Sequence, residues 1–170
     1  MVRIALIGAG AMANSVHYPS LALFSDARMA SLCDIDPGRL NATADRFGIE
    51  RRYADYRRML DEVPCDAVYI LMPPHQLFDI VMDCIDRGKH VFIEKPPGVM
   101  AEQTRQMAYA AARTGVLTMV GFNRRFAPIV RRCKELVAAR GGVIQAISAF
   151  YKWYGGQPPY YRGATDILTS

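Results

Sequence analysis

The stretch Val2-Arg3-Ile4-Ala5-Leu6-Ile7-Gly8-Ala9-Gly10-Ala11-Met12-Ala13 decides the fold of this chain. Its apolar first half predicts a buried strand, and a helix is predicted from about Ala11, with a break at Pro19. The turn between them matches G-x-G-x-x-A, in which the first glycine permits the turn, the second lets backbone approach a pyrophosphate, and the small third residue allows close packing. A helix N-terminus also attracts phosphate charge. The stretch therefore predicts a dinucleotide-binding turn containing Gly8, Gly10, Ala11 and Met12.

An alternative interpretation of the same stretch is a secretory signal, because it is apolar and ends in Ala-Met-Ala. Gly8 and Gly10 interrupt the apolar run, and only one arginine precedes it. Both features favour the strand and turn.

A carboxylate stands where a dinucleotide-binding fold places its ribose ligand. Asp34 follows a second predicted strand, Ala27 to Cys33, about 20 residues beyond the glycine motif. The alternative role of Asp34 is in a helix-capping turn, but Asp36, followed by Pro37, is better placed to cap the next helix. A carboxylate repels a 2′-phosphate, so the predicted cofactor is NAD. Arg39 lies close enough in sequence to leave NADP open.

Strands and helices alternate from the N-terminus to about residue 122. The pattern is typical of an α/β fold, a doubly wound parallel sheet of the Rossmann type. We expect residues 1–122 to form this NAD(P)-binding domain. Residues 123–170 are predicted to begin an α+β second domain, with a helix over Phe126–Arg140 and a strand over Val143–Trp153. One helix and one strand cannot bury both faces of a sheet, so this second domain is predicted to be incomplete.

Polar residues follow the other predicted strands. His75 comes after one strand, Glu94 and Lys95 after the next, and Asn123 and Arg125 after the last. Taken singly, these residues are ordinary at strand ends, helix starts and turns. The carboxyl ends of parallel strands meet at one edge, where ligands bind in such sheets. Together these residues therefore predict a cofactor and substrate site.

The sequence resembles the Gfo/Idh/MocA family of oxidoreductases over its whole length. The resemblance rests on Gly8 to Ala13, Asp34, Pro73, the stretch Gly-Lys-His-Val-Phe-Ile-Glu-Lys-Pro over residues 88–96, and Gly121 to Phe126. It implies an NAD(P)-dependent dehydrogenase that oxidises a secondary alcohol of a sugar, cyclitol or related polyol. It also implies that Lys95 is the catalytic lysine beside the nicotinamide. Pro73 and Glu94 would line the nicotinamide end, and Asn123 and Arg125 the substrate side.

The sequence departs from the family pattern at three places. Met72 and Leu77 stand where the family has threonine and histidine, which predicts an altered nicotinamide lining. The family's D-x-x-x-H motif, its source of a proton-transfer group, lies further along the second domain, and none of His17, His75 and His90 matches it. Asp166 is not assigned that role. We therefore expect the chain alone to bind dinucleotide and to turn over poorly or not at all. The alternative is a non-catalytic NAD-binding or interaction module.

Composition limits the remaining classes of function. The chain has 51% hydrophobic and 22% charged residues, as ordinary globular proteins do. No apolar run reaches the ~18 residues of a membrane span. The net charge is +5, dense only over Arg124–Arg140, so no nucleic-acid partner is expected. Binding of nucleic acid through that stretch is the weakest alternative.

The cysteines and the C-terminal aromatic residues complete the expectations. Cys33, Cys65, Cys84 and Cys133 form no CxxC pair, and each lies in an apolar segment. They are predicted to be core residues of a cytoplasmic protein, with no metal site.

A homo-oligomer is expected, since an incomplete sheet edge invites strand pairing. The rings at Tyr151, Trp153, Tyr154, Tyr160 and Tyr161 would suit sugar stacking. The slightly favoured alternative is that Tyr151 and Trp153 are core residues of the predicted strand.

Overall fold

The computed structural model describes residues 1–143. The chain divides into two compact units, Met1–Gly121 and a second that begins at Phe122. Most of the predicted strand Val143–Trp153 and all five C-terminal aromatic residues lie outside the described residues. Within residues 1–143, no helix is both long and apolar enough to cross a membrane.

The first unit is built on a six-stranded sheet in the order β3-β2-β1-β4-β5-β6. Every neighbouring pair of strands is parallel. The order reverses between β1 and β4, and this switch point is where doubly wound sheets bind their ligands. The predicted fold class is confirmed. The strands are β1 (Val2–Ile7), β2 (Ala27–Cys33), β3 (Arg52–Tyr53), β4 (Ala67–Ile70), β5 (His90–Ile93) and β6 (Thr118–Val120).

Helices cover both faces of this sheet. They are α1 (Tyr18–Leu21), α2 (Pro37–Phe47), α3 (Tyr56–Glu62), α4 (Leu77–Asp86) and α5 (Ala101–Thr114). Along β1, Ile4 and Leu6 pack in a core with α1 and α2, whereas Ala5 and Ile7 pack with α3, α4 and α5. The alternation follows from the two-residue period of a strand. Each fully buried leucine or isoleucine contributes about 1.5–3 kcal/mol, so the two cores fix both faces of the sheet.

The helix ends agree with the capping residues in the sequence. The Asp36 carboxylate accepts the Arg39 N–H at the start of α2. Gly48, Gly88 and Gly115 adopt positive φ just after the helices they were predicted to end. Because these signals are local, the positions of α2, α4 and α5 were predictable to within one or two residues.

The helix after β1 differs from its prediction. A π-helical turn, Ala13–His17, runs directly into α1, and Pro19 lies in the first turn of α1. A first-turn residue needs no amide partner, so the proline is accommodated without a break. In place of the predicted break at Pro19, the chain changes from π-helix to α-helix, and the α-helix begins at Tyr18, one residue before the proline.

The second unit begins with a short 3₁₀ helix, Asn123–Phe126, followed by α6 (Pro128–Ala139). No residue of α6 is buried. Cys133 is exposed, so its predicted place in a core is wrong. The stripe of α6 that carries Cys133 is apolar in sequence, but no described residue buries it.

The four cysteines are expected to differ sharply in reactivity. Burial raises the pKa of Cys33 and of Cys84 to about 12, and it also raises the pKa of Cys65. The thiolate is the reactive form, so at pH 8 these three thiols are expected to resist alkylation while Cys133 reacts. Iodoacetamide labelling followed by peptide mass spectrometry measures this order. Cys133→Ser removes the fast-reacting thiol, and rapid labelling of Cys84 in the folded protein would contradict the packing.

Candidate functional site

The ends of the strands meet at one edge of the sheet. Ile7 is in register with Cys33 on one side and with Ile70 on the other, and Ile70 is in register with Ile93. The residues that follow these strand ends are the glycine turn, Asp34, the segment of Pro73, and Glu94 with Lys95. The structure therefore brings these predicted site residues to a single edge.

The two glycines of the turn serve different purposes. Gly8 has a φ of +100°, and a Cβ there would lie 2.5 Å from the Leu71 carbonyl oxygen at the end of β4. A Cβ at Gly10 would meet nothing within 4 Å. Gly8 is thus required by the approach of two strands, whereas the space beside Gly10 is open to a ligand. Ala11 and Met12 are exposed at the start of the following helical residues.

Three residues that the sequence analysis did not identify hold this turn. The buried Tyr18 hydroxyl donates to the Gly8 carbonyl at 2.5 Å, and burial raises the pKa of Tyr18 far above its usual value. The hydroxyl therefore remains a donor. The Asn14 side-chain amide donates to the Ala9 carbonyl at 3.0 Å and to Thr43 Oγ1 of α2 at 2.9 Å. Asn14 lies four residues after Gly10, which is one turn of helix. This spacing is the only feature of the sequence that indicates its contact with the glycine turn.

Asp34 is both a turn residue and a buried acceptor. One carboxylate oxygen accepts the Ala9 N–H at 2.7 Å, and the other accepts the Asp36 N–H at 2.8 Å. Arg39 lies 3.4 Å from the second oxygen. The side chain is only 7% exposed, so its bonds to Ala9 and Asp36 hold the carboxylate in place at the end of β2. The two roles weighed for Asp34 are compatible, since a carboxylate has about four acceptor positions.

Glu94 has a partner that sequence reasoning missed. Its Oε1 lies 2.7 Å from Nε2 of His17, and its Oε2 accepts the Lys95 N–H at 2.9 Å. Lys95 itself is exposed at the end of β5. The contact joins residues 77 positions apart, and no local pattern in the sequence indicates it.

The segment after β4 contains Pro73 and the two residues at which the sequence departs from the family pattern, Met72 and Leu77. Pro73 is half-buried just before a short 3₁₀ helix, Pro74–Gln76. Met72 lies beside the glycine turn, with its sulfur 3.3 Å from where a Cβ on Gly8 would be. Leu77 is 1% exposed in the core against β4 and β5. Leu77 is therefore a core residue, and the altered nicotinamide lining expected from Met72 and Leu77 stays a prediction.

Two predicted site residues belong to the second unit. Asn123 and Arg125 are both exposed in the 3₁₀ helix Asn123–Phe126, where the Arg125 guanidinium lies 6.0 Å from the Phe122 ring centre. Their assignment to a substrate side stays a prediction.

Comparison with known proteins agrees with this geometry. The model of the Gfo/Idh/MocA oxidoreductase family, described as having an NAD-binding Rossmann fold, matches residues 2–122. The chain belongs to this family. The resemblance stated from the sequence is confirmed.

Named members of the Gfo/Idh/MocA family are similar over most of the chain. It is 32% identical to the scyllo-inositol 2-dehydrogenase (NAD(+)) of Bacillus subtilis over 96% of its own length and 44% of that protein's. It is 33% identical to the D-xylose 1-dehydrogenase (NADP(+)) 2 of Haloferax volcanii, over 76% of its length and 40% of that protein's. The chain thus spans less than half the length of these relatives.

A solved structure of a named dehydrogenase has a similar fold. The scyllo-inositol dehydrogenase of Lactobacillus casei, with bound NAD(H) and scyllo-inositol, matches with a TM-score of 0.76 and 26% identity. The match covers 83% of this chain and 42% of that one.

The two turn glycines are expected to respond differently to a methyl group. Gly8→Ala forces a Cβ onto the Leu71 carbonyl at positive φ, and we expect a loss of about 3 kcal/mol or more in the free energy of unfolding. Gly10→Ala meets no atom, so the melting temperature should move by less than about 2 °C. Its methyl group enters the ligand space, and NADH affinity should fall at least about tenfold.

Thermal unfolding and NADH fluorescence titration measure the two effects separately. Equal destabilisation by both substitutions would contradict the different surroundings of Gly8 and Gly10. Undiminished NADH binding by Gly10→Ala would contradict a pyrophosphate at that turn.

Proposed function

We propose that this chain is the cofactor-binding part of an NAD-dependent dehydrogenase that oxidises a secondary alcohol of a cyclitol, sugar or related polyol. The observation that carries the proposal is one sheet edge that holds an open glycine turn, a buried carboxylate and an exposed lysine. The named activities of its relatives, on inositol and xylose, support the substrate class.

The glycine turn and Asp34 suit the adenosine and pyrophosphate half of a dinucleotide. The open space at Gly10 lets backbone approach a pyrophosphate, and the helical start at Ala11 and Met12 favours its negative charge. Asp34 is buried, and two backbone amides hold it in place. Its remaining acceptor capacity suits a ribose hydroxyl, and its charge disfavours a 2′-phosphate.

The segment from Pro73 and the pair Glu94–Lys95 suit the nicotinamide half. When bound, the nicotinamide ring supplies the hydride acceptor, and the protein orients the substrate and handles the proton. We assign Lys95 the role of donating a hydrogen bond to the substrate oxygen, whose negative charge increases as the hydride leaves. Pro73 and Glu94 flank that position, and Asn123 and Arg125 are proposed for the substrate side.

The remaining expectations are part of the same proposal. A homo-oligomer and a cytoplasmic location stay predictions from the sequence. Turnover is expected to need a proton-transfer group, and none of His17, His75 and His90 matches the position of the family's D-x-x-x-H motif. Binding of NADH without turnover is therefore the result expected for the chain alone.

Cofactor preference tests the role assigned to Asp34. We expect the chain to bind NADH at least about tenfold more tightly than NADPH, since a 2′-phosphate would lie beside a fixed carboxylate. Asp34→Ser should reverse the preference, because it removes the charge and frees Arg39 for the phosphate. Calorimetric titration measures the dissociation constants of NADH and NADPH. A general loosening of the turn would weaken both cofactors, so it would leave the ratio of the two constants unchanged.

A second substitution separates the contribution of Arg39. Adding Arg39→Gln to Asp34→Ser should remove the gain in NADPH affinity and leave NADH affinity nearly unchanged. Failure of the unsubstituted chain to bind either cofactor would overturn the proposed function.

Lys95 is expected to matter for turnover and little for binding. In protein that shows turnover, Lys95→Ala should lower kcat at least about 100-fold, since it removes the donor to the developing oxyanion. NADH affinity should stay within about threefold, because the pyrophosphate and ribose contacts are unchanged. Steady-state rates with inositols and pentoses, beside NADH titration, measure both. An unchanged kcat would remove Lys95 from the mechanism.

A further inference from the structure

Glu94 connects two parts of the dinucleotide edge that are distant in sequence. One of its oxygens faces His17 at 2.7 Å, and the other accepts the backbone N–H of Lys95 at 2.9 Å. A carboxylate bound on both oxygens is held in one rotamer, because rotation breaks both bonds. The backbone amide of Lys95 is thereby linked to His17 through the Glu94 side chain.

His17 is itself held by aromatic rings from two strands. Its imidazole lies 5.4 Å from the ring centre of Phe92 on β5 and 6.5 Å from that of Tyr69 on β4. Tyr69 and Phe92 are stacked, with ring centres 4.4 Å apart. The side chains of His17 and Glu94 are only 12% and 16% exposed. A hydrogen bond with so little exposure meets little competition from water, so it holds its geometry better than one on the surface.

Tyr18, the residue after His17, contacts the glycine turn at the other end of the site. Tyr18 donates to the Gly8 carbonyl, while His17 contacts Glu94. Both belong to the helical segment that follows the glycine turn, and His17 ends its π-helical turn. The two consecutive side chains therefore link this segment to the glycine turn and to the start of the lysine segment.

We propose that His17 is a positioning residue that, through Glu94, fixes the Lys95 segment relative to the glycine turn. The consequence for ligand binding rests on the proposed function, in which Lys95 lies at the nicotinamide end. His17 then contributes to recognition of the nicotinamide half of the cofactor, while the adenosine half is bound independently of it. Neither His17 nor Glu94 needs to touch the reacting atoms for this effect.

Two substitutions at His17 separate its hydrogen bond from its packing. His17→Phe keeps a ring against Tyr69 and Phe92 but has no donor for Glu94. His17→Gln keeps an N–H donor at similar reach and gives up the ring. His17→Leu also has no donor for Glu94, and it tests the link if His17→Phe fails to fold.

The first measurement needs no cofactor. Hydrogen exchange of the Lys95 amide, followed by NMR in the free 170-residue chain, should be at least about fivefold faster in His17→Phe than in the unsubstituted chain. His17→Gln should restore slow exchange, and His17→Leu should behave as His17→Phe does. Unchanged exchange in His17→Phe and in His17→Leu would overturn the proposal.

The second measurement compares NADH with ADP-ribose, which lacks the nicotinamide. His17→Phe should weaken NADH binding about tenfold and change ADP-ribose binding by less than about twofold. His17→Gln should recover most of the NADH affinity. Tyr18→Phe is the matched control, because it releases the glycine turn and should weaken both ligands alike. Equal weakening of both ligands by His17→Phe would show a merely structural role and overturn the proposal.

Failure of the proposed function has a different signature. If the unsubstituted chain bound neither NADH nor ADP-ribose, the cofactor assignment would be wrong. The exchange rate of the Lys95 amide would then still decide whether His17 positions that segment.

Discussion

The close approach of β1 and β4 at the switch point of the sheet is the constraint on which this site depends. Gly8 turns away from β1 so near to the Leu71 carbonyl that a Cβ would lie 2.5 Å from it. The space beside Gly10, two residues on, is open. A side chain at residue 8 would displace the Leu71 carbonyl and with it the residues that follow β4.

Side chains from distant parts of the chain stabilise that turn. Tyr18 holds the Gly8 carbonyl, Asp34 accepts the Ala9 N–H, and Asn14 joins the turn to Thr43 of α2. The Gly8 carbonyl and both backbone groups of Ala9 are therefore paired within the first unit. A turn held in this way loses little conformational freedom on binding a pyrophosphate, which favours affinity.

Sequence features that act within one turn of helix predicted helix ends correctly. The exposure of a side chain depends on residues distant in sequence, and it was predicted less well. The Asp36 cap and the glycines at residues 48, 88 and 115 predicted helix ends because capping is decided within one turn of helix. The exposed Cys133 was misjudged. Its residue type suits the apolar stripe of its helix, but exposure depends on what packs against that helix.

By itself, the sequence determined the alternation of strands and helices, the glycine turn, and the placement of Asp34, Glu94 and Lys95 after strands. Strand period, capping and turn geometry are short-range properties, so they can be deduced from neighbouring residues. Only the tertiary structure decided that His17 pairs with Glu94, that Tyr18 holds Gly8, and that Asp34 reaches the Ala9 amide. Those contacts arise when parallel strands bring their carboxyl ends to one edge, and no local pattern specifies which side chains meet there.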